Sequence, residues 1–323
     1  MVHQSIAVRT SIDEIKRFAL NTRRLSSMKK ERRDVEAQGV GDGSSRRHSF
    51  WWAALVDFPL FLMLLAFVGL FELGFLPDYK AGFYCNDPAL SYPFNGDTVT
   101  SSMLVSGIFV IPLVVILATE LMFSDKDYWL SRLTEALKKS LPLFRNYMYG
   151  FIFNFTIMEV MKAITGSPRP TFFDICQPDT AKTCNGTEFV STFMCTSTKF
   201  TAWEQRDSYH SFPSGHTSLS VHSGLFLTWY LQSRAFDWRH RTVFLVPVTQ
   251  LLVLTFAVTS SLTRITDRRH HWWDVAVGFI IGVATTYYSA AVLCKRFVSL
   301  RDENLPFKHS VKRLLYTNEP PTP

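Results

Sequence analysis

The chain has 323 residues, of which 47% are hydrophobic and 15% aromatic, with 34 Lys and Arg against 27 Asp and Glu and a formal net charge of +7. Its apolar residues gather in runs too long for an ordinary soluble domain of this size. The basic residues flank those runs, so the positive balance reads as a membrane-topology signal and nucleic-acid binding is set aside.

A spanning helix needs about 20 mostly apolar residues. Six stretches qualify, at roughly 50–75, 102–123, 144–164, 217–232, 243–262 and 273–294. The expected fold is an all-α membrane protein of six transmembrane helices. The fourth stretch is the weakest, because TSLSVHSGLFLTWYLQ is short and carries His222. A five-span reading without it would send the loops on either side to opposite faces. Residues 1–49 read as a basic tail containing eleven Lys or Arg, among them Lys29, Lys30, Arg32 and Arg33. No cleavable signal peptide is expected, since these residues are polar and the first apolar run is long enough to span. The positive-inside rule keeps this tail in the cytoplasm, and an even number of spans returns residues 296–323 to the same side. Lys295, Arg296, Arg301, Lys308, Lys312 and Arg313 agree with that placement. So do the second loop, with Lys126, Arg132, Lys138, Lys139 and Arg145, and the fourth, with Arg234, Arg239 and Arg241. Both tails lack the apolar residues for a core, which leaves residues 50–295 as one membrane domain.

The remaining loops face outward and hold Cys85, Cys176, Cys184 and Cys195. An oxidising compartment permits one or two disulfides there, with connectivity left open, while Cys294 reads as a free thiol. Asn185-Gly186-Thr187 is a glycosylation sequon in the same outward loop; Asn154-Phe155-Thr156 also fits the pattern but lies within a span. The polar residues Asp57, Glu72, Asn154 and Glu159 fall within or beside spans and read as helix-packing or interfacial groups. Self-association suits such a protein, but no stripe of small residues specifies a homo-oligomer of given size.

Three clusters sit at outward helix ends. In KAITGSPRP, Lys162 closes the third span, where it can snorkel or pair with Glu159 one turn earlier. Arg169 stands between Pro168 and Pro170, which restrict its backbone as bidentate recognition of an oxyanion requires. In Pro213-Ser214-Gly215-His216-Thr217, glycine lets the backbone approach a ligand, and the helix that follows offers free N–H groups and a positive dipole end. The plainer reading is an N-cap made by Ser214 or Thr217, with His216 at the interface. In TRITDRRHHWWDV, His270 and Asp274 are four apart, on one face if the sixth helix begins there, with Arg264 six residues earlier. Arg268, Arg269 and His271 read as headgroup contacts. A basic outward loop runs against the charge rule that the others obey, so another requirement holds those residues in place.

Topology brings all three clusters to one face. Cations, a hydroxyl, helix N–H groups and two histidines are the parts of a phosphoryl-transfer site. The combined spacing, Lys162 to Arg169-Pro170, Pro213 to His216, and Arg264 to His270 to Asp274, resembles the three-part signature of the type 2 phosphatidic acid phosphatase superfamily. The FPSGHTS and HHWWDV contexts resemble its lipid phosphate phosphatase branch, including Wunen-like members, over about residues 50–295. The resemblance implies that His270 is the nucleophile, Asp274 orients it, and His216 protonates the leaving lipid and then activates water. It implies that Lys162, Arg169, Ser214, Gly215 and Arg264 hold the phosphoryl oxygens, and that no cofactor or metal takes part. The outward acids Asp174, Asp179, Glu188, Glu204, Asp207 and Asp267 are scattered, without magnesium-ligand spacing. The implied substrates are lipid phosphates in the membrane: phosphatidate, lysophosphatidate, sphingosine 1-phosphate and ceramide 1-phosphate. The implied place is the plasma membrane, with the site extracellular or luminal. Thr263 stands where the family commonly has Ser, so slightly altered packing with retained activity is expected. Two other readings stay open: the same chemistry on a sugar phosphate or polyprenyl diphosphate, and a catalytically silent scaffold.

Overall fold

Apolar segments in lipid must satisfy their backbone groups internally, and this chain does so with helices. The structure, a computed structural model, describes residues 55, 56, 58–75, 77–124, 126–236 and 244–297. The tail assignments, Asp57, Arg239, Arg241 and the Glu72 side chain lie outside the described residues. The chain divides into two compact units, residues 1–66 and 67–323.

In chain order the elements are α1 (Phe58–Glu72), β1 (Phe83–Tyr84), α2 (Ser101–Met122), α3 (Trp129–Thr165), α4 (Phe172–Cys176), β2 (Phe189–Val190), α5 (Ala202–Asp207), α6 (Gly215–Arg234), α7 (Leu245–Thr266) and α8 (Trp272–Tyr287), which a π-helical segment, Tyr288–Leu293, extends. Among the described residues three helices are long and apolar enough to cross a membrane, at Ser101–Met122, Leu245–Thr266 and Trp272–Leu293. The chain is therefore an integral membrane protein, largely helical. It also holds one element that an all-α expectation omits, a two-residue antiparallel pairing of Phe83 with Val190 and Tyr84 with Phe189.

α3 differs most from expectation. It spans 37 residues and begins at Trp129, so Arg132, Lys138, Lys139 and Arg145 lie on the helix and not in a loop. These long, unbranched side chains favour helix, and Lys139 pairs with Glu135 across one turn at 3.4 Å. At 1.5 Å per residue the helix is about 55 Å long, more than a bilayer core needs, so charge at one end costs little.

α6 explains its own weak hydropathy. It packs against α2, α3, α7 and α8, and Ser218, Ser220, His222 and Ser223 are all buried. The Ser218 hydroxyl donates to Asn154 Oδ1 at 2.7 Å, and Asn154 Nδ2 donates to Thr285 Oγ1 at 2.9 Å. Polar side chains that bond other helices do not have to face lipid. At the far end of α6, Arg234 is buried against Glu120, with Nη2 2.9 Å from Oε2 and the Tyr230 hydroxyl 2.8 Å from Oε1. Arg234 thus serves an internal ion pair as well as any topology signal.

The segments between α1 and α2 and between α3 and α6 form a small core of their own. Phe83, Leu90, Phe172, Phe193 and Tyr209 are buried together, and disulfides join Cys85 to Cys184 and Cys176 to Cys195. Cys294 is free and buried. Gly166 ends α3 in the left-handed region, at φ +53°, where an added Cβ would overlap the Tyr79 carbonyl. Only glycine fits that turn, and the turn sends the chain from Lys162 back toward Arg169.

α8 meets the start of α6 through Gly278, where an added Cβ would lie 2.5 Å from the Ser214 carbonyl oxygen and 3.3 Å from Thr217 Cβ. Gly278→Ala is expected to cost about 1–3 kcal/mol by overpacking and to lower the apparent unfolding midpoint in detergent. Gly69→Ala, with nothing within 4 Å of the added carbon, should show no loss. Equal midpoints for the two variants would refute this account of the contact.

Candidate active site

Arg169 is held from several sides. Its backbone N–H donates to Ser208 O at 2.8 Å. Its Nε donates to Asp207 O at 2.7 Å, Nη2 to Asp207 Oδ1 at 2.6 Å, and Nη1 to Arg269 O at 3.1 Å. The same Nη1 lies 3.3 Å from His270 Nε2. Flanking prolines alone would not aim the guanidinium; contacts from two other segments do. Lys162, seven residues earlier at the end of α3, reaches Glu159 Oε1 at 2.7 Å, the pairing anticipated for it.

Ser214 occupies the N-cap position of α6 but makes no side-chain cap hydrogen bond. Its Oγ instead accepts from Thr217 Oγ1 at 3.0 Å. Neither hydroxyl therefore satisfies the first-turn amides in the way the plainer N-cap reading supposed, and those amides keep their affinity for an anion. A Cβ at Gly215 would meet Lys162 Nζ at 3.9 Å and Met158 Cε at 4.0 Å, so the backbone is bare on the side of the lysine. His216 Nε2 is buried and has no hydrogen-bond partner among the described residues.

His270 is not on the face of a helix. α8 has His271 as its N-cap, so His270 precedes it, and the two backbone N–H groups of Arg269 and His270 both donate to the Arg264 carbonyl, at 3.0 and 3.1 Å. His270 Nδ1 lies 2.7 Å from Ser211 O and 3.7 Å from Asp274 Oδ2. A carbonyl only accepts, so Nδ1 carries the proton and Nε2 keeps its lone pair. Asp274 acts at one remove: its Oδ2 accepts from the Ser211 hydroxyl at 2.5 Å and from the His271 N–H at 2.9 Å. The i,i+4 spacing found the right neighbourhood, while the closest partner of the imidazole is a backbone group that no side-chain pattern reveals.

These groups surround a cavity of about 300 Å³. Lys162, Arg169, Gly215, His216, Arg264 and His270 all line it, whereas Ser214 and Asp274 stand behind that wall. Phe71, Leu104, Val105, Phe155 and Leu219 form an apolar side of the same cavity. Asn185 is exposed in the disulfide-bonded segment between α4 and β2, and Asn154 is buried.

Three residues that the sequence reading did not assign to the site complete it. Asp207 bridges Arg169, at 2.6 Å, and Arg269, at 2.7 Å. Asp97 bridges Arg264, at 3.0 Å, and Arg269, at 3.3 Å. Arg269, expected at the headgroups, points inward and lines the cavity, while Arg268 adopts φ 56° and lies over the Tyr92 ring at 4.4 Å. The left-handed residue between Asp267 and Arg269 sends neighbouring arginines opposite ways, and no sequence pattern announces it. Burial works against the Asp207 charge, yet Arg169 and Arg269 outweigh it and hold the carboxyl well below the usual carboxylate range. Burial pulls Arg169 down to about 10, opposed by Asp207. For His270, burial and then the Arg169 charge push the imidazole down to about 3, against the pull of Asp274. For His210, on the cavity wall, burial and Lys162 push it down to about 4. Both imidazoles are neutral at pH 7.

Comparison with known proteins bears on the family. The model of a family described as the PAP2 superfamily matches residues 144–297, a segment holding all three clusters. The chain is 27% identical over 237 residues to phospholipid phosphatase 2 of Bos taurus, covering 73% of this chain and 80% of that protein. It is 30% identical over 207 residues to phospholipid phosphatase 2 of Rattus norvegicus, covering 63% and 72%. It is 32% identical over 224 residues to a putative phosphatidate phosphatase of Drosophila melanogaster, covering 63% and 59%. No solved structure matches the chain. The chain belongs to the PAP2 superfamily, in its lipid phosphate phosphatase branch, and is a phosphatase.

Proposed function

We propose that the protein hydrolyses phosphate monoesters of membrane lipids, with phosphatidate, lysophosphatidate, sphingosine 1-phosphate and ceramide 1-phosphate as the class, through a phosphohistidine on His270 and without a metal. The observation that carries this reading is the state of His270: a neutral imidazole with its proton on Nδ1 toward Ser211 O, and an Nε2 lone pair at a cavity lined by guanidinium groups. The apolar side of the cavity suits a substrate whose tail stays in lipid.

In the first step the Nε2 lone pair attacks phosphorus, and the P–O bond to the lipid breaks. The departing alkoxide takes a proton from His216, whose protonated form the dianionic phosphate favours once it lies alongside. The His270 Nδ1–H stays on Ser211 O, with the Asp274 carboxylate near enough to stabilise the cationic phosphoimidazole. In the second step water attacks phosphorus as His216 takes its proton, the P–N bond breaks, and inorganic phosphate leaves. Lys162, Arg169, Arg264 and the free amides after Ser214 neutralise the equatorial oxygens throughout, work that is worth more in a cavity partly shielded from water.

The site faces the extracellular or luminal side in this reading, with six spans, both termini cytoplasmic and the plasma membrane as its place. The two disulfides tie the same outer segments that carry Arg169 and Asp207, and disulfides persist on the oxidising side. Asn185 is exposed there, as a glycan acceptor has to be.

His270→Ala should reduce phosphate release from phosphatidate micelles by about a thousandfold or more, and EDTA should leave the wild-type rate unchanged. Intact release by the alanine variant removes the nucleophile from the mechanism; inhibition by EDTA removes the metal-free part. Acid should also destabilise the fold. The unfolded histidines titrate near ~6.5, while His270 and His210 in the fold stay neutral to about 3 and about 4. The unfolded chain therefore binds more protons as pH falls, and the stability present above ~6.5 is progressively lost toward pH 3. The unfolding midpoint in detergent should fall between pH 7 and pH 4, and a midpoint that rises over that window contradicts the assignment. Asn185→Gln should abolish a glycosidase-sensitive mobility shift of the chain expressed in eukaryotic cells; a shift that persists places the glycan elsewhere or the loop on the other side.

A further inference from the structure

Arg269 is a cationic cavity residue, next to His270, that the three-part signature does not account for. It is 8% exposed, lines the cavity beside His270, and lies over the Phe94 ring with 4.9 Å to the centroid. Its Nη2 donates to Asp207 Oδ2 at 2.7 Å, and its Nε lies 3.3 Å from Asp97 Oδ1. That Nε is nonetheless buried and makes no hydrogen bond among the described residues. Both carboxylates are shared, Asp207 with Arg169 and Asp97 with Arg264. An arginine with only a structural duty would be expected to spend its buried donors on partners of its own. Arg264 also has Asp267, at 3.0 Å, so it is Arg169 and Arg269 that hold no carboxylate of their own among the described residues, and these two keep donor capacity for a further anion.

The geometry points to Arg269 as a fourth cationic ligand of the substrate phosphoryl group, with Asp207 as the positioning residue that aims Arg169 and Arg269 together. This assignment rests on the phosphatase reading above. One Asp207 carboxylate oxygen faces each guanidinium, at 2.6 and 2.7 Å, and the Arg269 carbonyl accepts from Arg169 Nη1 at 3.1 Å. Two planar forks coupled in this way can grip two phosphoryl oxygens without reorganising, which is where preorganised charge acts most strongly. Asp207 lines the cavity as well, with one carboxylate oxygen held by each guanidinium group.

The test uses the full chain in detergent micelles and two readouts: kcat and KM for phosphate release from phosphatidate, and the inhibition constant of orthovanadate, which reports binding without turnover. Arg269→Gln should lower kcat/KM on the order of 10–100-fold and weaken vanadate by about tenfold or more. Asp207→Asn should move both readouts in the same direction, and the double variant should lose less than the product of the two single losses, as coupled residues do. Arg269→Lys keeps the charge but loses the fork, so its losses should fall between wild type and Arg269→Gln. Should Arg269→Gln fail to fold, the lysine variant carries the test, with vanadate weakened by roughly threefold or more at a near-native unfolding midpoint. A folded Arg269→Gln or, in its place, Arg269→Lys with wild-type kcat/KM and vanadate affinity overturns the assignment while leaving the phosphatase reading intact. A wild-type chain that neither releases phosphate nor binds vanadate sinks the phosphatase reading, and this assignment with it.

Discussion

Guanidinium groups cannot be buried side by side at a membrane surface unless anions stand between them, because their mutual repulsion and lost hydration would dominate. The alternation Arg169, Asp207, Arg269, Asp97, Arg264 meets that constraint. It draws on the segment before α2, the segment after α3, the end of α5, the last turn of α7 and the α7–α8 connection. These segments are therefore tied to the cavity by their ion pairs. The phenylalanine-rich core and the two disulfides around it hold those segments at the spacing the ion pairs require.

The helices below serve the same end. α6 is polar because it is interior, with Ser218 bonded to Asn154 of α3 and His222 3.2 Å from Thr285 of α8. Its first turn can then project into the cavity with amides that no side chain caps. Gly278 and Gly166 are the places where backbone approaches backbone too closely for a side chain. One seats α8 on Ser214, and the other turns the chain from α3 toward Arg169.

The electrostatics divide labour between charge and neutrality. Arginines beside carboxylates stay charged despite burial, whereas imidazoles in the same surroundings lose their protons, because burial and the neighbouring cations, Arg169 at His270 and Lys162 at His210, act on them in one direction. A cavity of this kind presents fixed positive charge beside a neutral imidazole nitrogen. The Ser211 carbonyl decides which nitrogen that is.

Read alone, the chain already indicated a membrane protein: its long apolar runs and flanking lysines and arginines follow from what lipid tolerates, and they need no tertiary contact to be legible. The three clusters were legible for a similar reason, since phosphoryl chemistry restricts residue types and spacing. Local patterns misjudged the start of α3, where charges that look like a loop are also good helix formers, and the position of His270, which lies just before α8. Only the folded structure paired Cys85 with Cys184 and Cys176 with Cys195, placed Ser211 O under His270, and turned Arg269 inward beside Asp207. Each of these is a contact between segments distant in sequence or a single backbone dihedral, and neither leaves a periodic trace in the order of residues.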